Sequence, residues 1–320
     1  MRKILAIILT LAALLSLTAC EPTQTITPPF FMVHDDATGG TVYMMGTMHV
    51  GRRSSEYPQY ILEQIENCSF AAAEFDTQDF SGNRSEIKRC ANLIACEGDL
   101  VAEDYFGEEN YLLVRDTFNK KNLYNSQLDL FRPYYWASTL STGVAAECGL
   151  STSSGSENII LTKVKQADKK LVEMESAYEQ YEIMTQIPMS IQIYAVTSGV
   201  GENYDKELEN MKKLYDAWST ADHETLREMA VEEVPEELAE DYAEFERLMY
   251  NDRQTRMADM VKEWLAQGET VFMFVGAMHF YKGVTIIDHL NEAGYTVYEI
   301  RGTAEGDPID SVIQTEYTAA

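Results

Sequence analysis

The sequence predicts an α/β fold in which a mostly parallel central sheet is built from both ends of the chain around a large helical insertion. Three patterns carry that expectation. After a leader, the chain begins with strand, helix and strand signals; it ends with the same three; and the stretch between them is helical in period and rich in Glu.

Taken in order, Arg2 and Lys3 precede the apolar run Ile4 to Leu15 and the small residue Ala19, the arrangement of a secretory signal. Leu17-Thr18-Ala19-Cys20 also has the form of a bacterial lipobox, whose Cys is lipidated and becomes the mature N-terminus. The apolar run is shorter than the ~20 residues of a stable membrane span. Residues 1–19 are thus expected to be a lipoprotein signal peptide, with Cys20 anchoring the protein at the extracytoplasmic face of the cell membrane. Residues 20–29, rich in Thr and Pro, read as a tether, and residues 30–320 as the folded domain.

Thr41 to Met45 and Ser69 to Phe75 are β-branched or small apolar runs that read as buried strands, with a helix from Glu56 to Asn67 between them. Helical patterns run from Ser85 to Cys148, interrupted at Gly98 and Gly107, and from Glu157 to Ala167. The strand Lys170 to Met174 follows. The insertion, about 177–267, reads as helices Tyr178 to Ile187, Asp205 to Thr220, Glu224 to Val231 and Glu236 to Gln267, with Pro188 and Pro235 as breaks. The chain closes with the strand Thr270 to Val275, a helix Thr285 to Ala293 stopped by Gly294, and the strand Tyr295 to Ile300.

Composition narrows the function. With 45% hydrophobic and 24% charged residues, the 320-residue chain can bury a sizeable core, which excludes global disorder. Lys and Arg number 25 against 52 Asp and Glu, a net charge of -27, so repulsion from phosphate excludes a nucleic-acid partner. Cys68, Cys90, Cys96 and Cys148 remain once Cys20 is lipidated. They admit one or two disulfides or stay as buried thiols, and without a CxxC pair they form no zinc-finger or thioredoxin motif. No Gly-x-Ser-x-Gly elbow accompanies Ser153-Ser154-Gly155-Ser156, which argues against a serine hydrolase.

The strongest chemical signal is a repeat. The strand ending at Met45 runs into Gly46-Thr47-Met48-His49, and the strand ending at Val275 runs into Gly276-Ala277-Met278-His279. Ligands bind at the carboxyl ends of parallel strands, and Gly there lets the backbone turn so that the next side chains enter the crevice. Two of only five His occupy this position, which points to one shared site. Glu74 and Asp76 end another strand, two residues apart and hence expected on one face. Two imidazoles with one or two carboxylates make a divalent metal site with an open position for water. His34, His223 and His289 read as structural or solvated, and Met44, Met45, Met48, Met273 and Met278 as core filler.

These residues resemble the TraB/GumN/PrgY family, which includes the animal TIKI membrane metalloproteases. The resemblance runs from about Val42 to Ile300. It rests on the two Gly-x-x-His motifs, Glu74-x-Asp76, and Val275 to His279 followed by Gly283, Leu290 and Gly294-Tyr295-Thr296-Val297. Weaker echoes are Gly155-Ser156-Glu157, Met174-Glu175-Ser176 with Gln180, and Arg253; the family's Leu-Glu-Thr and Arg-Asn are replaced here by Met174-Glu175-Ser176 and Arg253-Gln254. The resemblance implies a fold related to the erythromycin-esterase and ChaN-like group, with His49, Glu74 and His279 at its centre. It also implies metal-dependent peptide cleavage or interference with peptide signals.

The sequence is accordingly read as a lipid-anchored metal-dependent hydrolase of peptides or proteins. His49, Glu74 and His279 serve as ligands to Mn, Co or Zn or as catalytic groups; Asp76, Glu175 and Arg253 support them. The alternative is a lipoprotein that binds a peptide signal without cutting it. Mass spectrometry of the mature N-terminus tests the anchor: lipidated Cys20 is expected, and an unmodified N-terminus elsewhere would remove it.

Overall fold

The structure, a computed structural model, describes residues 23–302 and 312–318; the expected signal peptide, Cys20 and the first residues of the expected tether lie outside the described residues. Its centre is a seven-stranded sheet. In chain order the strands are β1 (Gln24–Thr25), β2 (Phe30–His34), β3 (Thr41–Thr47), β4 (Ser55–Glu56), β5 (Phe70–Ala73), β6 (Leu171–Glu173), β7 (Thr270–Gly276), β8 (Val297–Gly302) and β9 (Val312–Glu316). The sheet order is β6-β5-β7-β3-β2-β8-β9, while β1 and β4 pair separately.

The half from β6 to β3 is parallel, and β2, β8 and β9 continue it in antiparallel fashion. Hydrophobicity dictates the order of burial. Val271-Phe272-Met273-Phe274-Val275 is a continuous buried run, as a strand covered on both faces requires, and β7 lies in the middle of the parallel half. Its neighbour β3 comes from the other end of the chain, so the two ends do build the sheet together. Phe30, Phe31, Met44, Phe272, Phe274 and Ile286 belong to one core around it.

Helices fill both long crossovers of the parallel half, residues 77–166 between β5 and β6 and residues 177–266 between β6 and β7. The first crossover packs with part of the second around Trp136, which is fully buried and donates its indole N–H to the Leu128 carbonyl at 3.0 Å. Several features depart from the sequence reading, among them the short strands β1 and β4 and the helix Met189–Thr197, none of which was expected. Strands β2 and β9 were not expected; β2 pairs with β3 through a tight return in which Asp35 N–H donates to the Gly40 carbonyl. The single helix expected from Glu236 to Gln267 is split into Ala239–Glu246, a π-helical turn Arg247–Asn251, and Asp252–Ala266. Cys96 falls beyond the end of helix Arg84–Ile94, and Cys68, Cys90, Cys96 and Cys148 are all free thiols. Among the described residues no helix is long and apolar enough to cross a membrane.

One junction locks the site-bearing turn after β3. Ser156 exchanges hydrogen bonds with Met48: its backbone N–H donates to the Met48 carbonyl at 2.9 Å, and its hydroxyl accepts the Met48 N–H at 2.6 Å. The backbones approach so closely that a Cβ on Gly155 would meet the His49 carbonyl oxygen at 2.3 Å. Gly155→Ala is therefore expected to cost about 1–3 kcal/mol in urea unfolding, the range of overpacked sites. Gly82→Ala, with nothing within 4 Å of the added methyl, should be neutral or mildly stabilising.

Candidate active site

The turns after β3, β5 and β7 leave the sheet side by side, because β7 pairs with both β3 and β5 in parallel. Thr47 is in register with Gly276, and Ala73 with Phe274, which sets Glu74 beside the turn after β7. The Gly276 N–H donates to Glu74 Oε1 at 2.8 Å. The repeated Gly-x-Met-His motif thus brings both histidines to one edge of the sheet, and both line one cavity of about 310 Å³.

Glu74 is largely enclosed, its side chain 11% exposed, and both of its carboxylate oxygens accept hydrogen bonds. Oε2 accepts from Arg253 Nη2 at 2.8 Å and from Gln180 Nε2 at 2.7 Å. The same guanidinium grips Glu175, donating through Nε at 2.9 Å and Nη2 at 2.7 Å, while Gln180 bridges to Glu175 at 3.0 Å. Arg253 therefore spans two buried carboxylates, one at the end of β5 and one just past β6. Burial would raise the Glu74 carboxyl, but Arg253, His279, His49 and the Gly276 N–H hold it well below the usual carboxylate range, at about 2. Glu175 is likewise lowered, chiefly by Arg253 acting against burial.

The two histidines occupy equivalent places in their motifs and opposite environments. His49 is 72% exposed, facing the cleft, and its Nδ1 lies 2.8 Å from Glu157 Oε2. The Glu157 carboxylate lifts this imidazole to about 9, so it is a cation at neutral pH. His279 is 4% exposed, and burial pushes it down to about 4 despite the nearby Glu74. Its tautomer follows from Gln254. The Gln254 amide donates to the carbonyls of Lys282 (3.0 Å) and Val284 (2.7 Å), so its oxygen faces His279 Nδ1 at 3.3 Å and accepts from it. Nε2 then carries the lone pair, 3.7 Å from Glu74 Oε1. Two acceptors 3.7 Å apart admit nothing between them, but a single donor lying to one side reaches both at hydrogen-bond distance.

The other expected site residues separate. Glu175 and Arg253 belong to the cluster, with Arg253 a partner of the acids. Asp76 does not. Strand β5 ends at Ala73, so the alternation that would put Asp76 beside Glu74 does not continue. Asp76 instead caps helix Thr77–Gly82, accepting from the Gln78 and Asp79 N–H groups, and pairs with Lys165 Nζ at 2.8 Å. His34 and His289 bond to Thr41 and Thr255, and His223 is held between the Tyr281 hydroxyl and Glu299, each at 2.6 Å. Glu157 and Gln254 were not among the expected site residues. The signal that could have found them was the pair of weaker family echoes, Gly155-Ser156-Glu157 and Arg253-Gln254; taken alone, a carboxylate at the first turn of a helix reads as a capping preference and a lone Gln inside a helix carries no periodic signal.

As folded, the donors do not form a ligand set for a metal ion. Among the described residues, no three His, Cys, Asp or Glu side chains are grouped to hold one. Both Glu74 oxygens are taken by N–H donors, and His49 is turned to Glu157.

Two cavities meet at this cluster, and both are lined by His49 and Glu74. One, of about 360 Å³, is walled by Phe75, Tyr134, Tyr135 and Tyr181; the other, of about 310 Å³, by Met211, Leu214, Trp218, Met249 and Met278. Comparison with known proteins gives one result: a family model described as the TraB/PrgY/gumN family matches residues 30–299, and the chain belongs to that family. No curated protein and no solved structure matches it.

Two outcomes follow from the buried charges. Arg253→Met keeps most of the side-chain volume but removes the buried cation shared by Glu74 and Glu175, leaving them Gln180, the Gly276 N–H and, for Glu175, the exposed Arg256 at 3.2 Å; it should cost at most about 3–5 kcal/mol in urea unfolding, and adding Glu175→Gln should restore part of it. His279, lowered from its ordinary 6.5 to about 4, is neutral when folded and takes up a proton more readily when unfolded. Its contribution is present above about 6.5 and is lost as pH falls towards about 4. The melting temperature should therefore drop across that window, and His279→Gln should flatten the drop.

Proposed function

We propose that this member of the TraB/PrgY/gumN family is a lipid-anchored, extracytoplasmic hydrolase of peptides, working in the cleft where the two cavities meet. The observation that carries the reading is the pair of largely apolar cavities joined over His49 and Glu74. A ligand with apolar groups on both sides of one polar bond places that bond on the charged strip, and a peptide has that form.

The two imidazoles, pushed apart in proton affinity, supply the acid and the base. A water bridging His279 Nε2 and Glu74 Oε1 from one side gives up a proton to Nε2 as its oxygen attacks the carbonyl carbon. The cationic His49 faces the developing negative oxygen and then passes its proton to the departing nitrogen, breaking the C–N bond. Glu157 holds His49 in its charged form, and Gln254 holds His279 in the tautomer with a free Nε2. Arg253 and Glu175 position Glu74.

Turnover of a peptide library by the full chain tests the roles. His49→Gln and His279→Gln should each lower kcat by about 10²–10⁴, the scale of general acid or base removal. In wild type, kcat/KM should hold from above about 4 to below about 9, its alkaline limb vanishing in His49→Gln. Chelator treatment should leave the rate intact; loss with recovery on adding Mn, Co or Zn would instead support a metal held at His49, Glu74 and His279. Binding of peptides with no cleavage under either condition would favour a sequestering lipoprotein.

A further inference from the structure

The chain enters the fold beside a basic turn. The Gln24 N–H donates to the Ser54 carbonyl at 3.0 Å and β1 pairs with β4 in parallel, which brings the chain in beside Arg53-Ser54. The junction is firmly seated. Ile26 is fully buried and its N–H donates to the Glu56 carbonyl at 2.9 Å, and the Thr27 N–H donates to the Ser219 carbonyl at 2.8 Å. The domain is thus fixed to its chain from Gln24 onward. Cys20 precedes Thr23 by three residues, at most roughly 11 Å of extended chain. A lipid on Cys20 therefore keeps this surface close to the bilayer.

The turn itself is preorganised. Arg52 lies over the Tyr215 ring, 5.2 Å from its centre, while the Tyr215 hydroxyl takes the Arg52 N–H at 3.4 Å and lies 3.1 Å from Ser55 Oγ. Gly51 and Ser151 exchange backbone hydrogen bonds at 3.0 and 2.9 Å, fixing the other side of the turn. Arg53 is exposed, and neither arginine is ion-paired among the described residues. Glu56 in β4, Asp216 beside Tyr215 and Glu21 next to Cys20 offset their charge, and Lys212 adds to it. The result is a patch near neutrality, tipped by two guanidiniums, on a body of net charge -27. The link from Cys20 is no longer than about one Debye length, ~8–10 Å in dilute to physiological salt, so an anionic bilayer repels the acidic body at that range. The domain turns towards the bilayer the face that is repelled least, and guanidiniums pair with phosphate oxygens there.

Resting on the lipid-anchored reading above, we infer that the turn 51–54 seats on anionic phospholipid headgroups, with Arg52 and Arg53 donating to their phosphates, and that this contact and the lipid on Cys20 together give the domain one orientation on the membrane. His49 lies four residues before Arg53, at most roughly 14 Å along the chain. The cleft then opens close to the bilayer surface.

Arginine labelling read residue by residue tests this. The full chain, extracted from membranes in detergent, is reconstituted into phosphatidylcholine vesicles with and without phosphatidylglycerol, floated, and treated with phenylglyoxal, and peptide mass spectrometry follows each arginine. Phosphatidylglycerol should slow the labelling of Arg53 about fivefold, the weight of one cation at an anionic surface, while the exposed Arg115 and Arg247 keep their rates. Added salt should restore the Arg53 rate, and Arg52→Gln should weaken its protection. Equal Arg53 rates in the two kinds of vesicle, or the same slowing at all three arginines, would overturn the inference. Flotation is scored separately. Vesicles that carry the protein without protecting Arg53 sink the seated turn and keep the anchor; a chain that does not float fails the anchor reading, and the inference with it.

Discussion

The site depends on a single buried guanidinium. Arg253, on helix Asp252–Ala266, lies between Glu74 after β5 and Glu175 after β6, segments far apart in sequence. Desolvating two carboxylates is costly, and one planar cation donating to both offsets that cost in a geometry a lysine does not reproduce. With Arg253 in place Glu74 is fixed, and Glu74 in turn receives the Gly276 N–H that begins the turn leading to His279. Arg253 Nη1 also donates to the Met249 carbonyl at 3.0 Å, tying the π-helical turn and its cavity-lining residues to the same charge. Extra turns of this kind recur at functional sites because they redirect side chains within a helix.

A second consequence concerns the histidines. Two copies of one motif, on adjacent parallel strands, yield a cation in one place and a neutral imidazole in the other. The difference is made entirely by what each ring meets. His49 stands at the open cleft against the Glu157 carboxylate, while His279 is packed under the second cavity with an amide as its partner. Proton affinity is here a property of the surroundings, set by segments distant from both motifs.

Much of the fold was legible in the sequence. Val271 to Val275 and Thr41 to Met45 announce buried strands by unbroken apolar content, and the capping and breaking residues mark most helices. What was missed has physical reasons. Strand β2 follows directly on a tether-like segment and pairs in antiparallel fashion at the flank of a parallel sheet, so nothing in the βαβ pattern calls for it. The π-helical turn at Arg247–Asn251 keeps helical polarity throughout and leaves no mark on periodicity over five residues. Asp76 was placed with Glu74 because strand alternation was extended three residues past Ala73, where β5 stops.

The sequence by itself determined that two Gly-x-Met-His turns follow apolar strands, that a Glu follows a third, and that the chain carries a net charge of -27, because these depend only on residue order and composition. Only the tertiary structure decided that the three turns share one edge of the sheet, that Arg253 links Glu74 to Glu175, and that Glu157 at one histidine and burial at the other give them opposite states. Each of those facts is a contact between segments many residues apart, and no local pattern of hydrophobicity or charge encodes which distant partner a buried polar group will find.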